Sequence, residues 1–565
     1  MQWFISLFLR KYEKMLTSCV HPDGRFRVGV HQPSYTVRNL REREFRGTLG
    51  QLPDGREVDN AANFPQGDVN ASASYPVYEI ANALPFRGCT YIDAGWAAAR
   101  SRNPASIAIR PQPPLSLRQH LADQGMMDRA ALQQCIRSLP LQLRYALAAT
   151  SSDAEELIWL AESCCTFLYD EANRASHNAP TGLLYEGQHG RLRPAISDME
   201  LFETIANNPH LPDGYKEVMV LRPGAQGTSP ITADAYHEGT GQGQGGAIFE
   251  YLRANSYIPG GHYAANFAHT SKRYSIAELS LEDMHCLRHL YYQRIYTVLA
   301  GQFGLVLPEQ GRALGGDELE ALRLQVCAAA GNQGEQGKYP ATHPATLWGW
   351  NFGYDFSPTG YRLHASHQMI HQQYALVPEW VNSSTGETMP VFACGDLVAD
   401  WAVRYQEKHQ SDFFTDYLRC IRANTRTDGG AGESSLIVWQ DENVLLFAPK
   451  AQVSQWELNL MVTADSAEGP VGNVVEANSR VRASIDLAML MAQQVLARLG
   501  ATMVTSIEYS KRLGVQHGQR LLYAFLPKLP WAMGGFTEAQ ARYVAGHYPE
   551  DFAAACRLHV QEIRA

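Results

Sequence analysis

No C-x-x-C pair occurs in the 565 residues, whose ten cysteines stand apart at positions 19, 89, 135, 164, 165, 286, 327, 394, 420 and 556. Dispersed thiols exclude a zinc ribbon and a disulfide framework, and a reducing cytoplasm is the compartment they suit. Charge is sparse as well. Charged residues make up 19% of the chain, and Asp plus Glu (57) outnumber Lys plus Arg (48), for a formal charge of −9. Without clustered cations a general nucleic-acid-binding surface is excluded, so an anionic ligand has to be held by local groups. No apolar run approaches the roughly 20 residues that a membrane-spanning helix needs. The opening stretch MQWFISLFLRKYEKML is apolar but short, and its charges follow instead of preceding it. Neither a secretory signal nor a membrane span is expected there, but an amphipathic first helix.

What is present is a soluble-type composition, 45% hydrophobic, on a chain too long for one ordinary core. Residues 1–205 mix proline-rich turns (Pro104, Pro111, Pro113, Pro114) with helical stretches such as 154–172, and carry no motif that can be tied to chemistry. From about Lys216 a rhythm begins. A strand is expected over Glu217 to Leu221, then the glycine-rich loop Gly239 to Gly246, then a strand from His262 to His269. Ser280 and Asp283 form an N-cap pair for a helix through Met284, Leu287, Tyr291, Ile295 and Val298. After a low-pattern insertion at about 305–345 come a strand over Leu347 to Tyr354 and the segment Tyr361 to Pro378.

The last 135 residues repeat that order. Leu436 to Trp439 and Val444 to Phe447 flank Gln440-Asp441-Glu442-Asn443 as a hairpin, and Trp456 to Val462 is a further strand. Val481, Ile485, Ala488, Ala492, Val495 and Leu499 keep one helical face until Gly500 ends it. Strands over Thr502 to Tyr509 and Leu521 to Leu526 follow. Tyr374-Ala375-Leu376-Val377-Pro378 returns as Tyr523-Ala524-Phe525-Leu526-Pro527, with Arg520 at the place of His371 and Leu522 at that of Gln373. The expected fold class is therefore α+β: two duplicated halves, 206–430 and 431–565, each a mostly antiparallel sheet with a long helix, behind an unassigned region at 1–205.

The segment YRLHASHQMIHQQYALVP sets three histidines, three glutamines and a serine in what otherwise reads as a buried strand. A neutral imidazole can attack a phosphoryl group and form a phosphoramidate, which divides one hard substitution into two easier ones. Gln373 shares a strand face with His371 and can donate its amide to a nonbridging phosphate oxygen; Ser366 serves the same phosphate if the segment bends around it. Asn351, on the neighbouring strand, is a further candidate for phosphate or ribose. The set His364, His367 and His371 also admits a metal site, but no acidic partner stands at a recognised spacing, and strand geometry puts His364 on the face opposite the other two. The loop Gly239 to Gly246 lacks the Gly-Lys-Ser/Thr ending of a P-loop and reads equally well as a surface insertion.

The run Ser366-His367-Gln368-Met369-Ile370-His371-Gln372-Gln373 resembles the Ser-x-x-His-x-His-x-Gln active-site strand of the galactose-1-phosphate uridylyltransferase branch of the histidine-triad superfamily. The resemblance extends over roughly residues 215–565. His269 with Ser275-Ile276-Ala277-Glu278-Leu279 is similar to the family's His...Thr-Leu-Pro-Glu-Leu stretch, Trp456-Glu457-Leu458 to its Pro-Phe-Glu strand, and Arg542-Tyr543-Val544-Ala545-Gly546 to its nucleotide-touching basic-aromatic segment. It implies histidine-triad-like halves and a nucleotidyltransferase or nucleotide phosphorylase working through nucleotidyl-His371, with Gln373 and Ser366 assisting. It further implies nucleotide contacts from Arg542 and Tyr543 and a nucleotide or nucleotide-sugar substrate; the internal repeat suggests two facing sheets, which would bring Arg520 to the phosphate unless it caps the sheet edge with an ion pair, and a homodimer is a candidate assembly. Met369 stands in place of the first histidine, Leu522 and Ala524 in place of a metal-binding His-x-His, and the family's paired cysteines are missing. No metal and no cofactor are therefore expected. The competing readings are a non-catalytic nucleotide-binding or scaffold protein on a degenerate fold, and a His-ligated metal hydrolase. These motifs name no base, sugar or acceptor.

Overall fold

The computed structural model describes residues 17–32, 34–38, 47–63, 67–72, 74–109, 114–125, 128–170, 179–188, 191–208, 210–219, 276–307, 312–331, 343–353, 371–467, 469–515, 517–528 and 535–564. The first part of the chain supplies strands β1 (Gly29–His31), β2 (Val77–Ala81) and β3 (Cys89–Asp93), followed by helix α1 (Ala94–Ser101) capped by the Asp93 carboxylate. Next comes a helical unit of α2 (Leu117–Asp123), α3 (Arg129–Arg137), α4 (Leu141–Thr150), α5 (Ala154–Ala161), α6 (Met199–Asn207) and α7 (Asp213–Met219). It closes its own core, in which Leu157, Leu160, Leu201, Ile205 and Met219 are buried. Two expectations are corrected here. The helix anticipated over 154–172 ends at Ala161, and Phe167–Leu168 is already a short strand. The strand expected over Glu217 to Leu221 is helix α7 as far as Met219, because Tyr215 and Met219, four residues apart, both pack into that helical core.

The larger unit begins at α8 (Leu281–Gln302), where Ser280 and Asp283 form the anticipated capping box. The insertion read as patternless contains a further helix, α9 (Gly316–Gly331), whose Leu319, Leu322 and Val326 pack onto the main core. Then follow β4 (Ala345–Gly353), β5 (His371–Val377), the hairpin β6 (Trp380–Asn382) and β7 (Thr388–Pro390), α10 (Cys394–His409) and α11 (Phe413–Arg422). The chain ends with β8 (Ile437–Gln440), β9 (Val444–Phe447), β10 (Leu458–Val462), α12 (Ser479–Arg498), β11 (Met503–Tyr509), β12 (Leu522–Lys528), β13 (Arg542–Ala545) and α13 (Pro549–Arg564). The β8–β9 hairpin, the α12 stripe and its stop at Gly500, with φ +103°, all fall where the periodicity put them.

Instead of two sheets facing each other there is one antiparallel seven-stranded sheet, in the order β5-β4-β11-β12-β10-β9-β8. Among the described residues 206–430 contribute two of its strands and 431–565 five, so the sheet does not divide equally. Helices α8 and α12 pack against one face with Trp348, Trp350, Tyr523 and Leu460. On the other face, α10 and α11 bury Val398, Phe413 and Tyr417 against Leu445, Phe447, Met461 and Leu522. The close approach of α10 to β11 requires Gly395, where a Cβ would overlap the Ser510 carbonyl. A second sheet, β1-β2-β3-β13, joins the first part of the chain to the last, with β13 parallel to β3. No described helix is long and apolar enough to cross a membrane.

Candidate functional site

Strand β5 is an edge of the seven-stranded sheet, and its register against β4 places His371 directly opposite Asn351. On the far side of β4, Asn351 is opposite Thr505 of β11. The three positions form one row across three strands. Within it the Thr505 hydroxyl donates to Asn351 Oδ1 at 2.7 Å. That bond occupies the carboxamide oxygen, so the Asn351 NH2 remains the group with which this side chain can donate to a ligand. Gln373, two residues further along β5, is exposed and lies opposite Gly349. The residues between, Gln372 and Trp350, belong to the helix-covered face: Trp350 Nε1 donates to Ser506 Oγ at 2.8 Å, and Gln493 of α12 donates to the same oxygen at 2.9 Å. Neighbouring strands thus present amide donors on one face while anchoring themselves through the other.

The remaining expected site residues are distributed otherwise. Ser366, His364, His367 and Met369 lie outside the described residues, as do the loop Gly239 to Gly246 and His269. Arg520 does not meet His371. Counting along the register, His371 is level with Leu526 of β12, six residues beyond Arg520. The two positions are therefore ~20 Å apart along the strands and three strands, ~14 Å, apart across them. Arg520 instead donates to the carbonyls of Val462, Thr463 and Ala464 at 3.4, 2.8 and 3.2 Å, and to Asp465 Oδ1 at 2.9 Å, capping the end of β10. Arg542 and Tyr543 sit on β13, in the other sheet, where Arg542 lies over the Tyr91 ring at 5.9 Å. Lys511 and Arg512, beyond the end of β11, are ion-paired with Glu476 at 2.9 Å and Asp396 at 2.7 Å. Leu522 and Ala524 are buried in apolar surroundings, and no group of three or more His, Cys, Asp or Glu side chains among the described residues is placed to hold a metal ion.

One ionic cluster was not anticipated. Behind β4, β11 and β12, Arg288 of α8 is fully buried with its guanidinium 4.6 to 5.3 Å from the ring centres of Trp348, Tyr292, Tyr291 and Tyr523. Glu508 of β11, also fully buried, accepts from Tyr523 at 2.6 Å, Thr346 at 2.9 Å and Tyr291 at 3.0 Å, with Arg288 Nη2 at 3.8 Å. Burial pushes the Glu508 carboxyl up, and these donors pull it back. Asp486 of α12 accepts from Tyr292 at 3.2 Å and meets His285 at 3.0 Å; that hydrogen bond raises the His285 pKa. A signal was present in the chain: Arg288 follows Leu287 inside a buried stripe, and Glu508 falls at an inward-facing position of a strand.

No family model matches the chain, and no curated protein matches it. Solved structures with partial likeness include an ADP-glucose phosphorylase from Arabidopsis thaliana with bound ADP-glucose, 11% identical, covering 51% of this chain and 70% of that one with a TM-score of 0.32. A uridylyltransferase is 15% identical over 52% of this chain and 73% of that one, TM-score 0.32. A galT-like protein from Arabidopsis thaliana is 13% identical over 43% and 67%, TM-score 0.29. Likeness of this size assigns neither family nor activity.

Proposed function

We propose that this chain is a nucleotidyltransferase or nucleotide phosphorylase that transfers a nucleoside monophosphate through a covalent nucleotidyl-His371. The reading is supported by the Ser366 to Gln373 run, and the observation that carries it is the row in which His371 stands opposite an Asn351 oriented by Thr505. In the first step a neutral nitrogen of His371 attacks the phosphorus of a nucleoside diphosphate sugar; the P–N bond forms and the P–O bond to the sugar phosphate breaks, that oxygen leaving with the electron pair. In the second, an oxygen of a sugar phosphate, inorganic phosphate or water attacks the same phosphorus and restores the free imidazole. Amide donors from Asn351 and Gln373 suit the nonbridging oxygens, whose charge grows in both steps. The runs α8-β4-β5 and α12-β11-β12, with β4 and β11 adjacent and antiparallel, support reading 206–430 and 431–565 as duplicated histidine-triad-like halves with a single reaction centre on the first.

The test is to incubate the protein with UDP-glucose, ADP-glucose and diadenosine tetraphosphate, each radiolabelled at the phosphorus to be transferred. The expected product is a protein adduct that is labile in acid and stable in base, as a phosphoramidate is, and His371→Asn should abolish it while circular dichroism stays unchanged. No adduct with any of these probes, or one that survives His371→Asn, overturns the proposal.

A further inference from the structure

Two antiparallel pairs, Ser34–Val37 with Val69–Ser72 and Thr48–Gln51 with Glu57–Asp59, continue the β1–β2 ladder as a two-stranded ribbon, and neither pair makes an extensive contact with another described element. Two strands without a packed face are marginal in water. The far end closes through the turn Pro53-Asp54-Gly55, where the Gly55 N–H donates to the Leu52 carbonyl at 2.9 Å. That end is amphipathic. A bulge between Thr48 and Gly50 sets Leu49 and Gly50 together opposite Val58, and Leu52, two residues on, falls on the same face. Thr48, Gln51, Glu57 and Asp59 take the other face. Leu49 is 67% exposed, and Leu52 and Val58 are exposed as well, so the apolar face is left uncovered.

The foot of the ribbon has an apolar surface of its own. The Tyr75 ring lies against Gly95, where a Cβ would stand 2.5 Å from it, beside Trp96. Both rings face solvent, Trp96 with 64% of its surface exposed. A bare aromatic pair marks an interaction site. The charges match too. The tip sets Asp54, Glu57 and Asp59 against Arg56 alone. Arg100 and Arg102, at the C-terminal end of α1, have no carboxylate partner among the described residues. The acids near them are engaged: Asp93 accepts from the Trp96 N–H, and Asp428 and Asp551 hold Arg426. A ribbon is one layer thick, so charge on its outer face acts across it within a Debye length of ~10 Å.

We propose that two copies of this chain exchange ribbons about a two-fold axis, the Leu49, Leu52 and Val58 face of each tip packing on Tyr75 and Trp96 of the other copy. Within one chain the tip and foot patches do not cover each other, since both are exposed. A two-fold axis makes the contact twice, which covers both patches of both copies and gives each ribbon the packed face that two strands lack. Residues 47–60 and the surface around Tyr75 and Trp96 together approach the ~20 residues a side of a standard interface.

The experiment is sedimentation equilibrium of the full chain from about 1 to about 100 µM, with circular dichroism to check that each variant keeps the fold. A reversible monomer–dimer equilibrium is expected. Leu49→Asp and Trp96→Ala, both at exposed positions, should each weaken it about tenfold or more. Mixed together, the two variants should associate more tightly than either alone, because the intact tip of one still meets the intact foot of the other. A wild type that stays monomeric across the range, a dimer that either substitution leaves untouched, or a mixture no tighter than its components each overturns the proposal. None of these outcomes bears on the covalent adduct at His371.

Discussion

Arg288→Met is the perturbation for which the structure makes the sharpest demand. Methionine keeps much of the volume and removes the charge. The side chain is fully buried, its Nη1 has no hydrogen-bond partner, and its guanidinium is lodged among four aromatic rings between Asp486 at 3.6 Å and Glu508 at 3.8 Å. Removing one partner of a buried ion pair costs about 3–5 kcal/mol, because the carboxylates left behind have lost their cation. The cation–π contacts, about 2 kcal/mol when desolvated, are part of that figure and do not add to it. A loss of about 4 kcal/mol is therefore expected. Glu508→Gln alone should also destabilise, by stranding the guanidinium. The double substitution should cost less than the sum of the two by about 2 kcal/mol, within the range found for contacting residues. Urea unfolding read by tryptophan fluorescence, to which Trp348 at the cluster reports, and by far-UV circular dichroism supplies all four corners of the cycle. A cost below about 1 kcal/mol for Arg288→Met, or a coupling within ~0.5 kcal/mol of zero, would show that the cluster does not tie α8 to β11.

Arg520→Ala should leave the covalent adduct at His371 intact while loosening the end of β10, at a cost of about 2 kcal/mol for its charged hydrogen bonds. Hydrogen exchange at residues 463–466 should accelerate, and unchanged exchange would refute the capping role. The His285–Asp486 pair makes stability depend on pH. His285 gains a carboxylate on folding, so its pKa is raised above the ordinary 6.5. Its contribution is complete below that value and is lost as pH rises through the raised one. The side chain is 44% exposed, so solvent screening keeps the effect below about 1 kcal/mol. Thermal unfolding from about pH 5.5 to about pH 9 should fall more steeply for the wild type than for His285→Gln, and parallel curves would refute the assignment.

Much of the framework was legible in the chain because its signals are local. The Ser280–Asp283 box, the α12 stripe ending at Gly500, the β8–β9 hairpin and the adjacency of Asn351 to the histidine-rich strand depend on neighbours a few residues away or on period alone. Helices α7 and α9 were hidden, α7 because the short run Glu217 to Leu221 reads as readily as a strand, α9 because its apolar residues are interspersed with Gly, Asp, Glu and Arg. Burial of Tyr215, Met219, Leu322 and Val326 is what makes each helix stable.

The sequence by itself determined the order of helix and strands from β8 to β12 and the residue types at the candidate reaction centre, since alternation, capping and spacing act within a segment. Tertiary structure alone decided which charges are free to bind. Nothing adjacent to Arg520 and Arg288 in sequence shows that one meets the backbone carbonyls of residues 462–464 and the other meets Glu508. A guanidinium pairs with whichever acceptors the fold brings near it, and here those acceptors come from 56 to 220 residues away along the chain. The continuous sheet likewise separates Arg520 from His371, because β4 and β11 pair edge to edge instead of stacking face to face.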